Sequence, residues 1–186
     1  MNTDMPDEQD INNPEYPKYL CLISLGSNLG DPAANIQHAF DELQKLSAVP
    51  IQKSSLWNSA PVDCPPGSPD FINAAVALEP LENETPESLL AKLQQLEIQF
   101  GRQPKSILNE PRPLDLDLIT FKNETRDTQS LTLPHPRFHQ RRFVLEPLNE
   151  IAPRAILPNQ TQTIAQLLAA LDTDEPLTLH SAHGRR

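Results

Sequence analysis

The sequence predicts an α+β fold: one domain in which a mostly antiparallel sheet is backed by helices. Three observations carry this. Strand-like runs at residues 20–25, 71–78 and 114–121 alternate with two helix-period segments that begin at Pro32 and Pro86. After residue 121 the pattern changes to short, hairpin-like segments with no helix between them, which argues against a sheet built from repeated strand–helix–strand units. A chain of 186 residues is long enough for one substantial core and too short for two ordinary ones.

Residues 1–18 carry five acids against one Lys and are broken by Pro6, Pro14 and Pro17, so they read as a disordered acidic leader. The folded domain is expected over 19–172, with a flexible tail over 173–186. Leu20-Cys21-Leu22-Ile23-Ser24-Leu25 is a continuous apolar run, as expected of a central strand covered on both faces. Gly26-Ser27-Asn28-Leu29-Gly30 turns the chain, and Asp31 caps a helix whose first residue is Pro32 and whose apolar stripe is Ile36, Phe40 and Leu43. The turn lacks the Gly-Lys-Ser/Thr ending of a phosphate loop, and an Asp at the helix start would repel an anion. It therefore reads as a tight turn.

Residues 51–57 can form a second strand, whereas 59–69 are too rich in Pro to be anything but an extended loop. In the third strand, 71–78, one face carries Ile72, Ala74, Val76 and Leu78 and the other Phe71, Asn73, Ala75 and Ala77. The second face leaves room for a flat polar heterocycle, stacked on Phe71 and hydrogen-bonded by Asn73; a core Phe and a backbone-satisfied Asn suit the pattern equally. Thr85 caps a helix that runs from Pro86 to Phe100 and ends at Gly101, with Leu89, Leu93, Leu96 and Phe100 as its stripe. Gln94 and Glu97 border that stripe, either as a solvated edge or as ligand contacts.

Residues 102–113 hold three basic residues and three prolines without periodicity, the composition of a binding loop or lid. The strand that follows places Leu114, Leu116 and Leu118 on one face and Asp115 with Asp117 on the other, roughly 6.5–7 Å apart. Two like charges so placed invite a cation, and the spacing suits a pair of divalent ions about 3.5–4 Å apart. A strand with one solvated face is the simpler alternative. Residues 122–130 form a polar turn and 131–133 a short strand. His135, flanked by prolines, is expected in a loop facing solvent or ligand; 141–145 begins another ordered segment, and a last helix spans 164–171.

The net charge of −10 excludes general nucleic-acid binding. Residues 102–142 nonetheless hold eight Lys or Arg against five acids, which together with the Asp pair suggests anionic ligands held with metal, such as nucleotide phosphates. Cys21 and Cys64 imply no disulfide framework, and no signal peptide or membrane-length apolar run is present. The expectation is a cytoplasmic protein without membrane partners.

Four blocks then coincide, in order, with one family: Leu25-Gly26-Ser27-Asn28-Leu29-Gly30-Asp31; Asp70-Phe71-Ile72-Asn73-Ala74-Ala75-Val76; Arg112-Pro113-Leu114-Asp115-Leu116-Asp117; and Pro134-His135-Pro136-Arg137, continued by Arg141 and Phe143-Val144-Leu145. The chain resembles 6-hydroxymethyl-7,8-dihydropterin pyrophosphokinase of the folate pathway over about residues 20–151. The resemblance implies a ferredoxin-like, mostly antiparallel sheet with helices on both faces, and transfer of diphosphate from ATP to the pterin hydroxymethyl group with release of AMP. It implies that Asp115 and Asp117 hold two Mg²⁺ ions, with Arg102 and Arg112 completing the catalytic group. Phe71 and Phe143 would sandwich the pterin, its polar edge read by Asn73 and by the chain at Ala60, Pro61 and Asp63. Gln94, Glu97, Arg102, Lys105, Arg112, Leu118, Thr132, His135 and Arg141 fall where the family contacts ATP. A monomer is expected.

The lid departs from the family pattern: Pro104 stands where a second Arg is usual, and Leu108-Asn109-Glu110 replaces Arg-Trp-Gly. A divergent pterin- or nucleotide-binding paralogue is accordingly the alternative. A two-metal phosphohydrolase built on the Asp pair is a weaker one, since further acidic or His ligands are lacking nearby.

Overall fold

The computed structural model describes residues 20–103 and 109–181. Its centre is β1 (Cys21–Ser27), flanked antiparallel by β4 (Phe71–Leu78) on one side and β5 (Asp115–Phe121) on the other. β4 also pairs with β2 (Gln52–Lys53) and β3 (Trp57–Ser59). Helix α1 (Pro32–Gln44) connects β1 to β2 and β3, and α2 (Pro86–Gln99) connects β4 to β5, so each crossover skips one strand. The order β5-β1-β4-β3 is that of a ferredoxin-like antiparallel sheet, as expected.

Strand alternation sorts the core into two layers. Ile23, Leu25, Val76, Leu116 and Leu118 face α1 and α2 and pack on Ile36, Phe40, Leu43, Leu89 and Leu93. Leu22, Ala75, Ala77 and Ile119 face α3 (Arg142–Ile151) and α4 (Ile164–Ala170), meeting Val144, Leu145, Leu148 and Ile164. The sheet is thus helix-covered on both faces. Asp31 caps α1 by accepting from the Ala34 N–H at 3.1 Å, and reciprocal capping boxes start α2 (Thr85, Ser88) and α4 (Thr163, Gln166). β6 (Arg126–Asp127) and β7 (Thr132–Leu133) form a separate small hairpin.

The second strand, expected as one run over 51–57, is interrupted. Between β2 and β3 the Ser54 N–H donates to the Ala75 carbonyl and Ser54 Oγ accepts from the Ala75 N–H at 2.8 Å, so a side chain replaces part of the ladder. The segment opening at residue 141 is helical from Arg142. The stretch expected as a flexible tail includes an edge strand, β8 (Leu177–Leu179), paired with β3; the His180 N–H donating to the Leu56 carbonyl at 2.8 Å and a 3.1 Å His180–Asn58 contact secure it. The leader at 1–18 lies outside the described residues. No helix among those described is long and apolar enough to cross a membrane.

Candidate active site

The site is built by register. Residues directly opposite in antiparallel strands share a face. Gly26 of β1 faces Asp115 on one side and Asn73 on the other, and Ser24 faces Asp117 and Ala75. These two rows lie on the α3 face of the sheet, just past the point where Leu22, Ala77 and Ile119 are covered by the helix. Here α3 has only begun, so its first turn contributes Phe143 and the preceding residue contributes Arg141. The uncovered end becomes a cleft of about 300 Å³. Gly26 lies in its floor between the ring and the amide, where a Cβ would meet Phe71 Cδ1 at 3.5 Å and Asn73 Oδ1 at 3.6 Å, both ordinary van der Waals contacts.

Arg102 and Arg112 converge on Asp115, at 3.2 Å and 2.9 Å from its two oxygens, and Arg102 also pairs with Glu97. Glu97 is buried, and its carboxylate accepts the Leu116 N–H at 2.7 Å. β5 is an edge strand, so this N–H points away from β1 and would otherwise have no partner. Burial, then the charge of Asp115, pushes the Glu97 carboxyl up, against the pull of the Leu116 N–H and Arg102. Asp117 is pushed up to about 6, first by burial and then by Asp115, with Arg141, Arg112 and Arg102 opposing. The Arg112 guanidinium lies 5.8 Å over the Phe71 ring and that of Arg141 5.6 Å over Phe143, so a cation stands over each aromatic wall.

A family model described as 7,8-dihydro-6-hydroxymethylpterin-pyrophosphokinase matches residues 22–153. The chain belongs to this pyrophosphokinase family. Relatives named 2-amino-4-hydroxy-6-hydroxymethyldihydropteridine pyrophosphokinase include those of Synechocystis sp. (37% identical, covering 81% of this chain and 75% of the relative) and Haemophilus influenzae (37%; 78% and 89%). A solved Plasmodium falciparum HPPK-DHPS triple mutant with pteroate superposes with a TM-score of 0.63 at 15% identity. The match covers 81% of this chain and 42% of that longer one, and at this identity the likeness is one of fold. Membership in the pyrophosphokinase family makes the chain an ATP-dependent diphosphotransferase of folate biosynthesis.

Most of the residues singled out in the sequence meet in the cleft: Ala60, Asp63, Phe71, Asn73, Gln94, Glu97, Arg102, Arg112, Asp115, Asp117, His135, Arg141 and Phe143 all line it. Pro61 lies beside this wall, Thr132 sits in the β6–β7 hairpin, and the Leu118 side chain is buried in the core under α1 and α2. Lys105 lies outside the described residues. The cleft adds Ser24, Ser59, Asn109 and Arg137, which the sequence did not assign to ligand contacts. Ser59 Oγ accepts from Asn73 Nδ2 at 2.7 Å, which orients the amide; the signal was the pairing of β3 with β4, invisible without the register.

The donor set suits Mg²⁺, the metal of this pyrophosphokinase family. Asp115 and Asp117 offer hard oxygen ligands on one face, and the Asp117 carboxyl is raised by burial and then by the charge of Asp115. No cluster of three His, Cys, Asp or Glu able to hold a metal occurs among the described residues.

His135 is held neutral. Burial, then Arg141 and Arg137, pushes its imidazole down to about 4, and its Nδ1 accepts the Arg137 N–H at 3.2 Å. Because the folded pKa is depressed, this contribution to stability is present above the unfolded value near 6.5 and is lost as pH falls through about 4. Wild type should therefore lose stability relative to His135→Gln over that window, by on the order of 1–2 kcal/mol for a partly screened ring. Asp117 titrates in the opposite sense in both proteins and cancels in the difference. Urea melts at pH 7 and pH 4.5 measure it; parallel pH profiles would show His135 to be solvated.

Proposed function

We propose that the cleft carries out the transfer with Asp115 and Asp117 as ligands of two Mg²⁺ ions and Arg102 and Arg112 as the groups that offset charge on the diphosphate. The pterin hydroxyl oxygen loses its proton to solvent and forms a bond to the β-phosphorus of ATP, the bond from that phosphorus to the α–β bridging oxygen breaks, and AMP departs with the bridging oxygen. Bound Mg²⁺ neutralises and orients the phosphates. The rest falls to the chain: phosphoryl transfer needs positioning and charge stabilisation more than covalent help, and the arginines converging on Asp115 provide it.

Phe71 and Phe143 hold the pterin ring by its faces, and Asn73 with the chain at Ala60, Pro61 and Asp63 reads its edge. With one amide N–H engaged by Ser59, Asn73 keeps its Oδ1 and a second N–H for the ligand. Gln94, Glu97, Lys105, Thr132, His135, Arg141 and the backbone of Leu118 serve the nucleotide. The protein acts as a cytoplasmic monomer.

The observation that carries this reading is the single sheet face on which the two carboxylates, Asn73 and Phe71 stand within one cleft. Purified protein with ATP, Mg²⁺ and hydroxymethyl-dihydropterin should release AMP in step with pterin diphosphate; ATP hydrolysis without a pterin product would refute the assignment. Phe71→Ala and Phe143→Ala should each weaken pterin binding by roughly 1–3 kcal/mol with ATP binding little changed. Equal losses for both ligands in calorimetry, with a lower Tm, would mark the rings as core.

A further inference from the structure

We infer that Asn28, in the turn after β1, is a positioning residue for the reaction: it fixes the backbone of Arg112 and, with the same side chain, the segment that leads into Phe71. Asn28 is buried, 2% exposed, and does not line the cleft. Its N–H donates to the Arg112 carbonyl at 3.2 Å, and its Oδ1 accepts the Arg112 N–H at 2.8 Å, so Asn28 grips Arg112 from both sides of one residue. Its Nδ2 donates to the Pro69 carbonyl at 3.2 Å, two residues before Phe71. The amide orientation follows from its partners. Arg112 N–H can only donate and Pro69 C=O can only accept, so the flipped amide would face like with like at both ends.

The neighbouring residues reinforce the same grip. Ser27 Oγ donates to the Pro113 carbonyl at 2.6 Å, and Asn35 Nδ2 donates to that carbonyl at 3.1 Å. The two segments that Asn28 joins are those whose side chains meet in the cleft, Arg112 over the Phe71 ring. The Gly-Ser-Asn turn thus has a use in which it binds no phosphate: it sets the diphosphate side and the pterin side of the cleft against each other. A side chain here must offer both a donor and an acceptor at this reach. Asp retains only the acceptor, and Ala neither.

The inference rests on Arg112 being a catalytic group, which Arg112→Ala tests alone by a fall in kcat of about 100-fold or more. Asn28→Ala should lower kcat about 10- to 100-fold and raise KM for the pterin about 3- to 10-fold. In the Arg112→Ala background it should lower kcat by no more than about twofold further, since the group it positions is gone. Asn28→Asp, which still accepts the Arg112 N–H, should regain at least about fivefold of the lost kcat while the pterin KM stays raised. Fully additive losses in the double variant, or an Asp variant as slow as the Ala variant, would overturn the inference and leave Asn28 a structural residue. Should Asn28→Ala not fold, Asn28→Asp against wild type decides. A rise in pterin KM that exceeds the fall in kcat supports it, and equal changes overturn it. Turnover retained in Arg112→Ala would refute the role of Arg112, and this inference with it, whatever the Asn28 variants do.

Discussion

Asp115→Asn and Asp117→Asn should each lower turnover by at least about 10³-fold, and their stabilities should move in opposite directions. Both remove a proposed metal ligand from the cleft. Asp115, however, accepts from Arg102 at 3.2 Å and Arg112 at 2.9 Å, and its neutral replacement takes this carboxylate from Arg112 and leaves Arg102 with Glu97. That variant should be less stable by about 1–3 kcal/mol. Asp117 is penalised at neutral pH. Its folded pKa, raised from 3.8 to about 6, means that stability present below 3.8 is lost as pH rises through 6. An Asn of the same shape carries no such penalty, so Asp117→Asn should be as stable as wild type or more stable by up to about 2 kcal/mol at pH 7. Thermal melts with and without Mg²⁺ and a non-hydrolysable ATP analogue provide a second readout. The metal-dependent rise in Tm expected of wild type should be absent in both variants. Turnover within a few-fold of wild type in either one would remove that residue from the metal site.

What the sequence made legible followed from local rules. The period-two pattern of Leu114 to Leu118 put both aspartates on one face, and the same pattern put Phe71 and Asn73 together. Capping residues marked where α1 and α2 begin. What was not legible depends on which strand lies beside which. β8 is three residues long and held by the edge of β3, so nothing local announces it. Helix α3 contains Pro147, which reads as a breaker, yet Val144, Leu145, Leu148 and Ile151 supply a helical stripe that packs on the sheet. Glu97 stands at the border of the α2 stripe, where an acid is usually solvated. It is buried because β5 is an edge strand that presents an N–H to it, a consequence of sheet order rather than of helix pattern. Ser59 and Ser24 belong to the cleft for the same reason, since only the register brings them beside Asn73 and Asp117.

The same edge predicts what happens when Arg102 is removed. Arg102→Ala should lower turnover by about 10²- to 10³-fold if, as proposed, its guanidinium offsets charge on the transferred diphosphate. It should also destabilise the fold by about 3 kcal/mol, since Glu97, with a side chain 6% exposed, keeps its charge and loses its cation. The two losses are separable. In Arg102→Ala/Glu97→Gln the amide oxygen still accepts the Leu116 N–H at the β5 edge while the unpaired charge is gone, so most of the stability should return. Turnover should not return. Acid should act as the second substitution does: the Glu97 carboxyl is already displaced upward by burial, and losing Arg102 displaces it further. The stability gap between wild type and Arg102→Ala should therefore narrow as pH falls and Glu97 takes up its proton. A gap that stayed constant between pH 7 and pH 5 would show that the lost stability is not the unpaired charge of Glu97, and a double variant that recovered turnover along with stability would show that Arg102 acts only through the fold and not on the diphosphate.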